Sequence, residues 1–339
     1  MLIEVSEPSQ AGEARRRAVE LAEELEMGEN RCGAVAIAAT EMATNLVKHA
    51  GRGHILVQRL TRPDRPGLRV IAVDKGPGIA DISRALDDGQ STAGTMGSGL
   101  GAIRRLSDSF DFYSVPGSGT VVSADFWHET GDAVPMAGPH GHEEPIQIGV
   151  VSEPLRGEDV CGDGWAVRLL SDQAVLMVVD GLGHGVLAAE AAREAERTLA
   201  MAKNESLTGV IHDAHLALKK TRGAAIGIAK IETEKGLLSF AGVGNISASI
   251  VASGSSRSMA SHNGILGQQM ERIQEFTYPW NPGNILVMHS DGLGSRWDLE
   301  RYPGIWNRHP SLIAAVLHRD FSRGRDDVTV LVAKTSESV

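Results

Sequence analysis

The sequence predicts an α+β chain of two layered domains. Three observations predict it. The length of 339 residues exceeds one ordinary domain. The first half alternates two amphipathic helices with strand pairs. The second half sets strand pairs, two helices and further strands around repeated Asp-Gly turns, the pattern of helices flanking packed sheets.

Residue balance narrows the classes. The formal charge is −10, from 43 acidic and 33 basic residues. Phosphate backbones need a basic face, so no nucleic-acid partner is expected. Cys32 and Cys161 are the two cysteines and stand in unrelated contexts. That argues against a disulfide framework and a cysteine–zinc site. The start, MLIEVSEPSQ, carries early acids and does not read as a signal peptide. All apolar runs are too short to span a bilayer, so the expectation is a cytoplasmic protein with no membrane partner.

In the first half, Ala11, Ala14, Ala18, Leu21, Ala22 and Leu25 recur at helical spacing between charged residues. Asn30 is placed to cap a second helix, roughly 32–50, with Val35, Ala39, Met42 and Leu46 on its packed side. Glu41 and Asn45 lie one turn apart on another face. Strands 54–60 and 68–74 follow, and the second ends in Asp74-Lys75-Gly76-Pro77-Gly78-Ile79. A polar loop, 87–95, leads to Gly97-Ser98-Gly99-Leu100-Gly101 before a helix over 102–107. Strands 110–115 and 120–127, joined by Pro116-Gly117-Ser118-Gly119, close this half.

Glycines before a helix N-terminus expose backbone N–H groups and make a phosphate cradle. Asp74 can accept a hydrogen bond from an adenine amino group. Asn45 can hold magnesium through its amide oxygen. Glu41 is placed to act as general base toward a hydroxyl or water. Each piece alone has a plainer reading: a turn, a solvated helix face, a turn initiator.

Their order resembles the GHKL (Bergerat-type) ATPases, and within them the small serine kinases of bacterial partner switching, anti-sigma factors and stressosome switch kinases. The carrying stretches are EMATNLVKHA (41–50), DKGPGI (74–79), DDGQSTAGTMGSGLGAIRRL (87–106) and GSGT (117–120). The resemblance spans about residues 3–127. It implies an α/β sandwich with ATP and Mg²⁺ as cofactors. Glu41 becomes the catalytic base, Asn45 the magnesium ligand and Asp74 the adenine partner. Gly76, Gly78, Gly97, Gly99 and Gly101 shape lid and phosphate loop, and Thr120 supports the adenine pocket.

Residues 128–145, rich in Pro, Gly and acids, read as a linker between a domain at 1–127 and one at 146–335. His140, His142 and Glu143 form a weak metal pattern there, outweighed by a solvated linker.

The second half centres on Leu176–Gly185, LMVVDGLGHG. The apolar run reads as a buried strand that delivers Asp180 to a glycine turn. Gly181 lets its carbonyl approach the same point. Asp291 follows the strand 284–289, Asp326-Asp327 precede the strand 328–333, and Asp163 heads the strand 165–169. One Asp-Gly pair is usually a turn. Four acidic strand ends suggest one shared cation site, because bare carboxylates packed together lose their charge. A two-metal site that activates water fits that set.

This half resembles the SpoIIE-like branch of the PPM-type serine/threonine phosphatases. The stretches are GDGW (162–165), VVDGLGHG (178–185), RGAAIGIAKI (222–231), FAGVGNI (240–246), NGILG (263–267), MHSDGL (288–293) and GRDDVTVLVA (324–333). The resemblance covers about 146–334 and implies an α-β-β-α sandwich. Asp180, the Gly181 carbonyl, Asp291 and Asp326 become ligands of two Mn²⁺ or Mg²⁺, with Asp163 a weaker one. Asp327 is the rival of Asp326. His184 either orients a phosphate or belongs to the turn.

Together the two likenesses imply a bifunctional switch enzyme. Its partners would be a STAS-domain antagonist or stressosome scaffold phosphoprotein, with a sigma-factor regulator downstream. The alternative keeps only the phosphatase as an enzyme and makes the first domain a nucleotide-sensing or partner-binding module.

Overall fold

The computed structural model describes residues 1–61, 65–81, 99–128, 145–170, 172–202, 206–270 and 273–336. The loop 87–95, Gly97, most of the linker and the pattern His140, His142, Glu143 lie outside the described residues. The chain divides into two compact units, Met1–His142 and Glu143–Val339.

The first unit runs β1 (Leu2–Val5), α1 (Pro8–Glu24), α2 (Glu29–Asn45), β2 (Gly53–Thr61), β3 (Pro66–Asp74), α3 (Gly99–Leu106), β4 (Ser109–Ser114) and β5 (Thr120–Trp127). Its antiparallel sheet has the order β1-β2-β3-β5-β4. Alanines at helical spacing let α1 and α2 approach closely. Ala14, Ala18, Ala38 and Ala39 pack with Ile55, Leu68, Val70 and Phe126 of the sheet. The helix expected to reach residue 50 is α-helical only to Asn45. Leu46–Ala50 continues as one π-helical turn, a widening that recurs at functional sites. Strand β1 has no sequence signal of its own length; pairing with Gly53–Leu56 defines it.

The second unit runs β6 (Ile146–Glu153), β7 (Asp163–Leu169), β8 (Gln173–Gly181), α4 (Val186–Met201), α5 (Leu207–Ala217), β9 (Ala224–Glu232), β10 (Leu237–Val243), β11 (Ser247–Ala252), β12 (Ser255–Ser258), β13 (Gly264–Ile265), β14 (Gln269–Met270), β15 (Phe276–Pro279), β16 (Ile285–His289), α6 (Pro310–Phe321) and β17 (Val328–Thr335). Two five-stranded sheets, β15-β10-β9-β8-β7 and β12-β11-β16-β17-β6, face each other. Leu176, Val178 and Phe240 from one meet Val150, Leu286, Met288 and Leu331 from the other. The opposite side chains of β8, Val175, Met177 and Val179, pack under α4 and α5 with Ala191, Ala195 and Ile211. A strand buried on both faces must be apolar throughout, which is why Leu176–Val179 is unbroken. Helix α6 covers the second sheet, where Gly149 gives it room: a Cβ there would stand 2.0 Å from Ser311 N. The layers are therefore α-β-β-α.

Strand β15, Phe276–Pro279, pairs with β10 in a register that runs from Leu237↔Pro279 to Phe240↔Phe276. Strand β12 is wholly exposed and polar, so its Ser-Ser-Arg-Ser carries no strand pattern; pairing with β11 makes it. No helix among the described residues is long and apolar enough to cross a membrane.

Candidate functional sites

In the first unit, α2 and α3 bring three predicted residues together. A Cβ on Gly99 would stand 3.3 Å from Asn45 Nδ2 and 3.7 Å from Glu41 Oε2. The start of α3 thus lies against the polar face of α2, a cradle that any side chain at 99 would fill. Gly101 is buried within α3.

Asp74, at the end of β3, is held by the backbone. Its Oδ1 accepts hydrogen bonds from Gly76 N–H (2.7 Å) and Thr120 N–H (3.1 Å). The Thr120 hydroxyl meets Ser114 Oγ at 2.9 Å, and Ser114 Oγ accepts from Ile79 N–H at 2.8 Å. Close approaches fix this loop. A Cβ on Gly119, whose φ is +86°, would lie 2.1 Å from the Asp74 carbonyl. One on Gly78, φ +70°, would lie 2.3 Å from the Val115 carbonyl. One on Gly76 would lie 2.7 Å from Ala50 Cβ. The exposed backbone, the amide–carboxylate pair and the anchored aspartate suit a nucleotide with its magnesium.

In the second unit the carboxylates converge. Asp163 and Asp180 face each other across β7 and β8. Asp180 Oδ2 and Asp291 Oδ2 both accept from the amide of Asn245, at 3.1 and 2.8 Å. Gly181 is buried under the start of α4 and donates to the Gly162 carbonyl at 3.2 Å. Asp163, 8% exposed, accepts from Ser290 Oγ at 2.6 Å, and Ser290 Oγ accepts from Thr329 N–H at 2.9 Å.

Asp326 and Asp327 point differently. Asp326 is exposed, and its Oδ1 accepts from Asp327 N–H at 2.9 Å. Asp327 is 2% exposed; its Oδ1 accepts from Leu155 N–H at 2.8 Å, while Oδ2 is buried with no hydrogen-bond partner. His184 pairs with Glu158 through Nδ1 at 2.6 Å.

The crowding shows in the protonation behaviour. Burial, then Asp291, pushes Asp180 up to about 7. Burial, then Asp180, raises Asp163 well above the usual carboxylate range. Burial first, with Asp291 and Asp327 among the further causes, raises Asp326.

Among the described residues no three His, Cys, Asp or Glu side chains already stand together at metal-holding geometry. The Asn245 amide lies between two of the carboxylates. The donor chemistry nonetheless fits hard divalent cations: carboxylates, with a buried unpartnered carboxylate oxygen beside them. Asn245 and Ser290 stand inside the stretches FAGVGNI and MHSDGL, yet nothing in their local sequence marks either one.

Two family models match separate parts of the chain. Residues 5–126 match the model of the histidine kinase-like ATPase domain. Residues 171–336 match that of the stage II sporulation protein E, SpoIIE. The serine/threonine-protein kinase RsbT of Bacillus subtilis (strain 168) is 39% identical over 114 residues, 34% of this chain and 86% of RsbT. The phosphoserine phosphatase RsbX of the same organism is 28% identical over 151 residues, 44% of this chain and 76% of RsbX. A solved structure described within the bacterial stressosome, a modular system adapted to control secondary messenger signalling, has 27% identity and a TM-score of 0.53. It matches over 56% of this chain and 99% of its own. The chain therefore belongs to the family of the RsbT serine/threonine kinases through its first unit, and joins to it a SpoIIE-type serine/threonine phosphatase domain similar to RsbX.

Proposed function

We propose that the chain sets the phosphorylation state of a partner protein from both directions, as a partner-switching regulator. The first unit transfers phosphate from ATP to a serine or threonine of a STAS-type antagonist or stressosome scaffold. The second unit removes such phosphates. The observation that supports this best is the coexistence of two residue clusters: Gly99 against Asn45 and Glu41, and Asp180 joined to Asp291 through the Asn245 amide.

In the first unit Asp74 and Thr120 orient the base, and the start of α3 receives the phosphates. Asn45 would hold the magnesium, and Glu41 would take the proton of the attacking hydroxyl. Phosphoryl transfer asks mainly for this positioning and charge neutralisation. In the second unit Asp180, Asp291, Asp326 and the Gly181 carbonyl would hold Mn²⁺ or Mg²⁺, with Asp163 a weaker ligand. When bound, such cations supply Lewis acidity and neutralise the phosphate dianion. Ionised carboxylates alone would repel that dianion, so bound cations would favour its approach.

Two variants separate the activities. Asp180→Asn is expected to lower manganese-dependent hydrolysis of p-nitrophenyl phosphate by more than about 100-fold, since even outer partners of a metal site cost about 10–100-fold. ATP binding should be kept. Glu41→Ala is expected to remove transfer from labelled ATP to a STAS-type partner and keep hydrolysis. Unchanged hydrolysis in Asp180→Asn refutes the phosphatase assignment. Absence of transfer by the intact chain with its partners replaces the kinase with a nucleotide-sensing module.

A further inference from the structure

We propose that Asn245 competes with divalent cations for Asp180 and Asp291, and so sets how tightly the carboxylate site takes them. This rests on reading those carboxylates as a divalent-cation site.

A side-chain amide nitrogen carries two hydrogens. Asn245 Nδ2 reaches Asp180 Oδ2 at 3.1 Å and Asp291 Oδ2 at 2.8 Å, so one nitrogen serves both carboxylates. A cation shared by Asp180 and Asp291 needs lone pairs on the same carboxylates. The amide and the cation therefore exclude each other wherever they call on the same oxygens. Hydrogen bonds to carboxylates are among the stronger ones. Breaking two of them subtracts from the binding energy of the ion.

The turn holding Asn245 is rigid. It joins β10 and β11, and Gly244 before it has φ +94°. A Cβ on Gly244 would lie 2.4 Å from Ala225 Cβ, and its N–H donates to the His262 carbonyl at 2.8 Å. The Asn245 side chain is itself exposed. It can swing into solvent and leave the carboxylates without moving the backbone. The protein then needs no larger rearrangement to exchange amide for cation.

Mn²⁺ titration by calorimetry, on the full chain stripped of metal, tests this in parallel with thermal melting. Asn245→Ala is expected to bind Mn²⁺ about tenfold more tightly than wild type. The stripped variant should melt lower than stripped wild type, because the carboxylates lose their donor. The loaded forms should melt together, since the amide is displaced in both. A tenfold gain corresponds to about 1.4 kcal/mol, and the lost stability should match it by linkage. Asn245→Asp should lower the stripped melting temperature further and tighten Mn²⁺ more, because it adds a carboxylate. Unchanged or weaker Mn²⁺ binding in Asn245→Ala overturns the proposal; weaker binding would make the amide oxygen a ligand. If wild type binds no Mn²⁺ at all, the phosphatase-site reading fails first. If wild type binds and Asn245→Ala gains nothing, only the competition fails.

Discussion

The two sites satisfy their aspartates in opposite ways. In the first unit, Asp74 at the end of β3 has an oxygen already held by two backbone N–H groups. The loops around it close on themselves through glycine contacts. In the second unit, aspartates from separate strand ends are brought together faster than the chain can supply donors. Asp180 rises to about 7, and Asp327 keeps a buried oxygen without a partner. The first site is shaped by backbone contacts. The second is shaped by carboxylates packed closely enough to raise one another's pKa. The first should thus be broken by volume and the second by charge.

The largest effects are expected at close backbone approaches. Gly119→Ala puts a Cβ 2.1 Å from the Asp74 carbonyl at φ +86°. The strained backbone alone costs about 1–3 kcal/mol, and the collision adds to it. Binding of a fluorescent ATP analogue should be lost, with p-nitrophenyl phosphate hydrolysis retained. Gly181→Ala, with its Cβ 2.2 Å from the Ala188 carbonyl, should do the reverse. Either variant silencing both activities would show that the sites are not independent.

Ser290→Ala comes next. It removes the donor to Asp163 Oδ2 and the acceptor of Thr329 N–H, both buried. Leaving such groups unsatisfied costs about 1–3 kcal/mol. Urea unfolding followed by tryptophan fluorescence should show the loss, since Trp165, Trp280, Trp297 and Trp306 all lie in the second unit. Nucleotide binding by the first unit should stay as it was.

The fold was legible wherever burial forces a pattern. Strand β8 is sandwiched between a sheet and two helices, so its apolar run announces itself. Helix α6, Pro310–Phe321, opens on a proline and is buried on every face from Pro310 to His318, so it carries an apolar run rather than a period. Strands β1 and β12 were not legible, because partners define them rather than their own residues. The aspartates were legible as strand ends, and the glycines as turns. Asn245 was not, because its importance lies in reaching two carboxylates 65 and 46 positions away. Ser290 was overlooked for the same reason: its partners, Asp163 and Thr329, are distant in sequence.

A pH series sharpens the charge side of the comparison. Asp180 and Asp163 have folded pKa values above those of the unfolded chain. Between the ordinary carboxylate range near 4 and about 7, the folded state holds more protons than the unfolded one. Stability of the metal-stripped second unit should therefore fall as pH rises through that window. Mn²⁺ must displace those protons, so its affinity should rise with pH up to about 7. Melting temperatures at pH 5 and 7.5, with chelator and with excess Mn²⁺, check both signs. A stripped protein that gains stability over this window would contradict the crowding of the carboxylates.

The smallest effect is expected from Asp327→Asn, and it separates two neighbours that the sequence leaves as rivals. Asp327 is buried, and its Oδ1 can accept from Leu155 N–H equally well as an amide oxygen. The substitution removes a buried charge and introduces an NH₂ group that needs an acceptor; the two terms oppose each other. Stability should move by no more than about 1 kcal/mol, within the range of hydrogen-bond exchanges. Asp327 also raises Asp180, though less than burial, Asp291 and Asp326 do, so the falling limb of the pH series should shift slightly downward. Mn²⁺ binding and hydrolysis should persist, whereas Asp326→Asn should lose both. If Asp327→Asn is the variant that loses Mn²⁺, the buried oxygen is a ligand. The cation would then sit deeper, beside Asp163, and the exposed Asp326 would serve the substrate side.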